Sequence, residues 1–449
     1  MEREKQPLKK FVQAVAADNA SVHRPPLYQC QSVGPRPGPV LPLGELSEDE
    51  SLGTGNVPVT KKRPLLGSKE PPRGQHIFTN VEDLINGTQV NGPWPIDHPL
   101  PLPRWSQDEG KCFKLQSVTE FQDVASRIEM HLQKVLEEQN YNTIGNFLTF
   151  YQAYKQSTIS NVLEFFQTYT PRISSKKYTC VGLAFELWLR LQKLESLYPD
   201  LGKYLYVVSC EENIESLVEY STRLDSASTT LEKEHILLCL KFEIEGRLGV
   251  LLCDPGYHVA RVVTVMADKA FPNTGWFVQS EENNIRKEYN YQISPFSDRF
   301  VEWNERTTKG GNQENFTGLI YIERPYVTAV DVTERRNLVY NFKSLLSRDQ
   351  KGHLIAGIYF KVKENSDEFT IFYQDMGKQR LKMNFSWFLK DEIKQDLLTK
   401  ITICNDQLNL EEGQLLKIIQ DVGNLLNDKL YLHKVLEIEH CINLLSANN

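Results

Sequence analysis

Apolar residues first recur at helical spacing at Val124, Ile128, Leu132, Val135 and Leu136. That spacing predicts a helix beginning near Val118 with Thr119 as its cap. Shorter runs of the same period follow at Ile144–Tyr154 and Asn161–Tyr169. Pro171 and the polar run Ser174-Ser175-Lys176-Lys177 then interrupt the pattern. The chain turns apolar at Cys180-Val-Gly-Leu-Ala-Phe-Glu-Leu-Trp-Leu-Arg-Leu, which reads as a buried helix ending before Pro199.

Beyond Pro199 the pattern becomes strand-like. Tyr204–Ser209 is predicted as a strand, and residues 211–230 are polar and irregular. His235-Ile-Leu-Leu-Cys-Leu-Lys-Phe-Glu-Ile is a long strand, Glu245-Gly246-Arg247 a tight turn, and Leu248–Cys253 the return strand that Asp254-Pro255-Gly256 ends. Further strands are predicted at Val259–Met266, Trp276–Gln279, Glu288–Ile293 and Phe300–Trp303. Residues 309–315 read as a loop. Leu319–Tyr321, Leu354–Lys363, Phe369–Tyr373 and Gln379–Phe385 read as strands, with a helical signal at Glu334–Leu346. Residues 411–447 carry two amphipathic helices of coiled-coil-like spacing, through Leu415, Leu416, Ile419, Val422 and Leu426, then Leu430, Val435, Ile438, Ile442 and Leu445. The fold class is therefore α+β: a helical lead-in, an antiparallel sheet and C-terminal helices.

Composition changes this picture only at the N-terminus. Of the 22 prolines, 16 fall within residues 1–110. Such a segment buries too little apolar area to offset chain entropy and is expected to be largely disordered. Within it, residues 93–105, with Trp94, Leu100 and Trp105, suit an extended strap on the folded part, and Lys61-Lys62-Arg63-Pro64 resembles a nuclear-import patch. The remainder divides into 111–305, a core; 306–400, a β-rich extension; and 401–449, a C-terminal helical segment. A net charge of −7 argues against a surface built to grip nucleic acid. No apolar run of about 18 residues occurs, so no membrane partner is expected. Residues 1–11 lack the apolar stretch of a secretory signal. The chain is accordingly expected in the cytoplasm or nucleus.

The eight cysteines are scattered, with no C-x-x-C pair, so no metal site is expected and the thiols read as reduced. A cysteine attacks only as its thiolate, which a helix N-terminus favours. Cys180 stands where a polar loop meets an apolar helix. A base and a group that orients it must then reach the sulfur. His235 opens a strand, and Asp254 closes the neighbouring strand of the same hairpin. With the turn centred on Gly246, His235 lies 11 residues before it and Asp254 eight after, a mismatch of three that a longer turn or a bulge would absorb. His258 is the competing base. Cys239 and Cys253 read as core, and Cys210 lacks an obvious partner.

Cysteine heading an apolar helix, histidine opening a hydrophobic strand, a short glycine turn and a strand ending in Asp254-Pro255-Gly256-Tyr257 together resemble the papain-like transglutaminase core. They resemble equally the arylamine N-acetyltransferases, which share that core. The resemblance spans about residues 118–305, and the 319–385 strands are similar to the acetyltransferases' later domain. Lys176, Lys177, Tyr178 and Thr179 stand where the acetyltransferase pattern has an arginine and paired glycines. Glu186 is displaced from that pattern's glutamate, and Val181 replaces the aromatic residue usual in transglutaminases. The resemblance implies a Cys180–His235–Asp254 triad, acyl transfer or amide hydrolysis, and a protein or peptide substrate. It requires no cofactor, although it admits acetyl-coenzyme A as acyl donor. The alternative is an inactive core used as a protein-interaction scaffold, recruiting partners through the N-terminal tail and the C-terminal helices.

Overall fold

A computed structural model of the protein describes residues 78–446, apart from 213, 215, 223–232 and 283. The basic patch at 61–64 and residues 1–77 of the proline-rich tail lie outside the described residues.

Regular structure starts earlier than the helix near Val118. A helix α1 (Val81–Thr88) opens the described chain, capped by Asn80, whose side chain accepts from the Asp83 amide. The strap then follows as expected: Leu100 is buried, Trp105 Nε1 donates to Ser209 Oγ at 3.2 Å, and Val327 N donates to Arg104 O at 3.1 Å. A short strand β1 (Cys112–Leu115) leads into α2 (Val118–Glu138). The cap of α2 is Ser117, not Thr119: its Oγ accepts from the Glu120 amide at 3.2 Å, while Glu120 Oε2 accepts from Gln116 N at 2.5 Å. Ser117→Ala is therefore expected to lower unfolding free energy by about 1 kcal/mol, measured by denaturant melts, whereas Thr119→Ala should leave it nearly unchanged.

Strand β2 (Tyr141–Asn142) precedes α3 (Thr143–Gln156) and α4 (Val162–Thr168). The apolar segment after the lysines forms α5 (Cys180–Leu191). Strands β3 (Leu205–Glu211), β4 (His235–Ile244), β5 (Arg247–Cys253), β6 (Val263–Met266), β7 (Phe277–Glu282), β8 (Ile285–Ile293), β9 (Phe300–Lys309) and β10 (Asn312–Tyr321) make the larger sheet. Its order is β6-β5-β4-β3-β10-β9-β8-β7, antiparallel throughout. The ninth strand, β1, runs parallel to the last residues of β4, from Lys241 to Ile244, where β3 no longer covers it. The sheet curls until β6 meets β8, enclosing an apolar core that includes Val208, Leu237, Leu252, Val301 and Trp303.

The second sheet has the order β14-β13-β12-β11-β2, with β11 (Phe342–Arg348), β12 (Leu354–Lys361), β13 (Glu368–Gln374) and β14 (Lys378–Asn384). Helix α6 (Arg335–Val339) precedes β11; α7 (Gln395–Gln407), α8 (Gln414–Asn427) and α9 (Lys429–Ser446) follow the sheet. The two C-terminal helices occur as expected, and α9 lies against α4 and α6. Leu430 is exposed, although the apolar pattern included it.

Two predicted elements differ, and one helix lies where none is predicted. The helical signal at Glu334–Leu346 divides: helix ends at Val339 and Phe342–Arg348 is a strand. β11 lies between β12 and β2 and is buried on both faces, so it shows no alternation to distinguish it from a helix. The supposed loop at 309–315 is only the turn Gly310-Gly311, both at positive φ. The start of β10 is polar because it projects into solvent. Helix α7 lay undetected in a segment of weak amphipathicity. The proposed divisions also cut through elements: β9 crosses 305/306 and α7 crosses 400/401.

Candidate functional site

The start of α5 is fixed from both sides. Thr179 has extended backbone, and its hydroxyl accepts from Val181 N at 3.2 Å. Tyr178 O accepts from Asn142 N at 2.8 Å, which ties the approach to β2. Cys180 is then the first helical residue, where amides lack intrahelical partners and negative charge is favoured.

The hairpin delivers the other two residues. Glu245 and Gly246 both have positive φ, 52° and 79°, the signature of a two-residue turn that matches strand twist. Ile244 faces Arg247 and Leu238 faces Cys253, so paired residue numbers sum to 491. Continuing that register sets Asp254 across from Leu237, two residues from His235. The offset is thus two rather than three. An even offset keeps both side chains on one face as diagonal neighbours, with no bulge. His235 Nε2 lies 2.9 Å from Asp254 Oδ1 and 3.0 Å from Oδ2. Asp254 Oδ1 also accepts from Tyr257 N at 2.8 Å, and the Tyr257 ring stacks on His235 with centroids 3.8 Å apart.

Cys180 comes to the same point. A Cβ placed on Gly256 would lie 2.6 Å from Cys180 Cβ and 2.7 Å from His235 Cε1. Glycine is needed there because backbone passes directly over the cysteine and the imidazole. Burial opposes the charged imidazole, but the Asp254 carboxylate and the Cys180 side chain outweigh it, pushing His235 up to about 10. With Nε2 on Asp254, Nδ1 is the ring nitrogen that the carboxylate leaves unengaged. All three residues are buried, with exposures of 3% for Cys180, 2% for His235 and 4% for Asp254.

The competing residues lie elsewhere. His258 has no hydrogen bond to Asp254 or Cys180; its ring meets Tyr141 edge-on at 5.5 Å, and burial drives it well below the usual histidine range. Cys239 and Cys253 are fully buried in the core, as expected from their strands. Cys210 faces His235 across β3 and β4, and burial raises its thiol well above the usual range.

The lysines before Cys180 have partners away from the sulfur. Lys177 Nζ donates to Thr149 Oγ1 at 2.8 Å, and Lys176 pairs at 3.6 Å with Glu411. Glu186 pairs with Arg190 at 2.8 Å and accepts from Tyr178 Oη at 3.3 Å.

A third segment meets the start of α5, and the local sequence pattern does not predict it. A π-helical turn, Ala329–Glu334, runs into α6 and brings two polar side chains to the start of α5. Glu334 accepts from the Thr179 hydroxyl and, at 2.7 Å, from Asn146 Nδ2. Burial pushes Glu334 up to about 7, against those hydrogen bonds and nearby Lys343. Asn337 Nδ2 donates to Cys180 Sγ at 3.9 Å. The run Glu334-Arg335-Arg336-Asn337 is buried and its polar side chains need partners, but no local pattern points to Thr179 or Cys180 as those partners.

No family description matches this sequence, and no curated protein matches it. Among solved structures the chain is similar to an arylamine N-acetyltransferase from Nocardia farcinica, with a TM-score of 0.35 and 10% identity, over 67% of this chain and 88% of that one. Among the described residues no helix is long and apolar enough to cross a membrane.

Proposed function

We propose that the protein is a cysteine-dependent acyltransferase or amide hydrolase acting through Cys180, His235 and Asp254. The observation that carries this reading is the buried His235, held by Asp254 at 2.9 Å and in contact with a cysteine at a helix N-terminus. His235 Nδ1 takes the proton from Cys180 Sγ, and the sulfur forms a bond to the acyl carbon. The tetrahedral intermediate collapses as His235 returns that proton to the departing amine or thiol. An incoming amine or water, deprotonated by His235, then cleaves the thioester and restores the thiol. Asp254 orients the ring throughout. The acyl donor is a protein glutamine, a peptide or an acyl thioester such as acetyl-coenzyme A; the residues themselves need no metal or bound cofactor for these steps.

The experiment is a labelling contest among thiols. The enzyme reading predicts that a small electrophile at neutral pH modifies Cys180 ahead of Cys112 and Cys441, although those two are the more exposed. Burial raises both of the latter thiols. The burial of the Cys180 thiol instead favours the scaffold reading, under which Cys112 and Cys441 label first and Cys180 stays inert.

A further inference from the structure

The helical turn behind Cys180 is held from several directions. Arg335 donates to Asp331 Oδ1 at 2.6 Å and to the Phe166 and Tyr169 carbonyls at 2.7 and 2.5 Å. Its guanidinium also lies 4.9 Å from the Trp94 ring centroid. On the other side, Lys343 Nζ donates to the Asn337 and Leu338 carbonyls at 2.8 and 3.1 Å. These carbonyls belong to the last turn of α6, where a cation is favoured. Glu334 and Asn337, three residues apart, share a face of the turn. One engages the cap of α5 and the other the sulfur that follows it. Asn337 is therefore oriented by its surroundings before any substrate arrives, as a catalytic donor must be.

We propose that Asn337 is a catalytic residue whose side-chain amide stabilises the Cys180 thiolate. The proposal rests on the enzyme reading above. The sulfur then has three sources of stabilisation: the helix N-terminus, the His235 imidazolium and the Asn337 amide. The first two arise from α5 and the hairpin; the third comes from a segment more than a hundred residues away in sequence. A hydrogen bond to a charged sulfur is stronger than one to a neutral thiol, so its loss raises the proton affinity of the thiol. An amide present only to fill space has no such effect.

The test is the pH dependence of Cys180 alkylation by iodoacetamide in the full-length protein, followed by peptide mass mapping. Asn337→Ala removes the donor, and Asn337→Leu removes it while keeping the volume, so a cavity in the first does not confound the result. Thermal melts establish that each variant is folded. The midpoint of the alkylation profile is expected to rise by about one pH unit in both variants. An unchanged midpoint in the folded variants, with wild-type Cys180 still labelled ahead of Cys112 and Cys441, overturns the role of Asn337 alone. Failure of wild-type Cys180 to label ahead of Cys112 and Cys441 overturns the enzyme reading, and this proposal with it.

Discussion

Replacing Asp254 by asparagine is expected to slow alkylation of Cys180 at neutral pH by about two orders of magnitude. Asparagine preserves shape, and its oxygen can still accept the Tyr257 N–H that Asp254 Oδ1 takes at 2.8 Å. What disappears is the charge. His235 is buried, and burial disfavours imidazolium unless a carboxylate compensates. Without Asp254 the ring is expected to stay neutral, and the thiolate proposed at Cys180 loses the cation that would balance it. Mass mapping of Cys180 against time in both proteins checks this. Equal rates would show that Asp254 only ends a strand.

The same variant has a stability signature. Histidine ordinarily titrates near 6.5, whereas His235 is raised to about 10. Between those values the native state binds the extra proton. The pair's contribution is therefore complete below about pH 6.5 and is lost as pH rises through about 10. Lys233 and Lys343, which burial pushes down to about 7, act in the opposite sense, because there the unfolded chain holds more protons. The contribution of His235 is consequently read as the difference between wild type and Asp254→Asn. That difference is expected to be a few kcal/mol near pH 6 and to shrink towards pH 10. A difference independent of pH would contradict an ionised His235.

Gly256→Ala is the second large effect. The new methyl carbon would lie 2.6 Å from Cys180 Cβ, 2.7 Å from His235 Cε1 and 3.0 Å from Cys180 Cα. None of these atoms is the free end of a flexible chain: two belong to a helix start and one to a ring held by Asp254. The loop, the cysteine or the imidazole must therefore move by a good fraction of an ångström. Overpacking of this kind costs about 1–3 kcal/mol. A displacement near 1 Å between reacting groups costs about a hundredfold in rate. Gly256→Ala is thus expected to stay folded and to label Cys180 about a hundredfold more slowly. Gly246→Ala provides the control: open space surrounds Gly246, and only its φ of 79° is strained. That substitution should cost about 1 kcal/mol and leave Cys180 labelling unchanged.

The site was legible where its parts are local. The switch from Lys177 to an apolar run marks the start of α5, and Cys180 is its first residue. The residues around Glu245-Gly246 mark a hairpin, and its ends carry His235 and Asp254. The residue count misjudged the centre of the turn by half a residue, because the turn is Glu245-Gly246 alone. That half residue turned an even offset of two into an odd offset of three, which would have needed a bulge. Asn337 and Glu334 were illegible for another reason. Their partners, Cys180 and Thr179, lie more than 150 residues away, and no local period encodes that contact. The π-turn that aims them interrupts the helical spacing on which a prediction relies. The same limit hid the pairing of β3 with β10, which joins strands about a hundred residues apart and links the β3–β6 and β7–β10 halves of the sheet.

We propose Cys180 as a nucleophile held by His235 and Asp254. This proposal is tested most directly by reacting the full-length protein briefly with p-nitrophenyl acetate and locating any acetyl group by intact-mass and peptide-mass measurement. A single acetyl group is expected on Cys180, released by added amine, and absent from Asp254→Asn. Acetyl groups scattered over surface lysines with none on Cys180, or equal acetylation of wild type and Asp254→Asn, would contradict it.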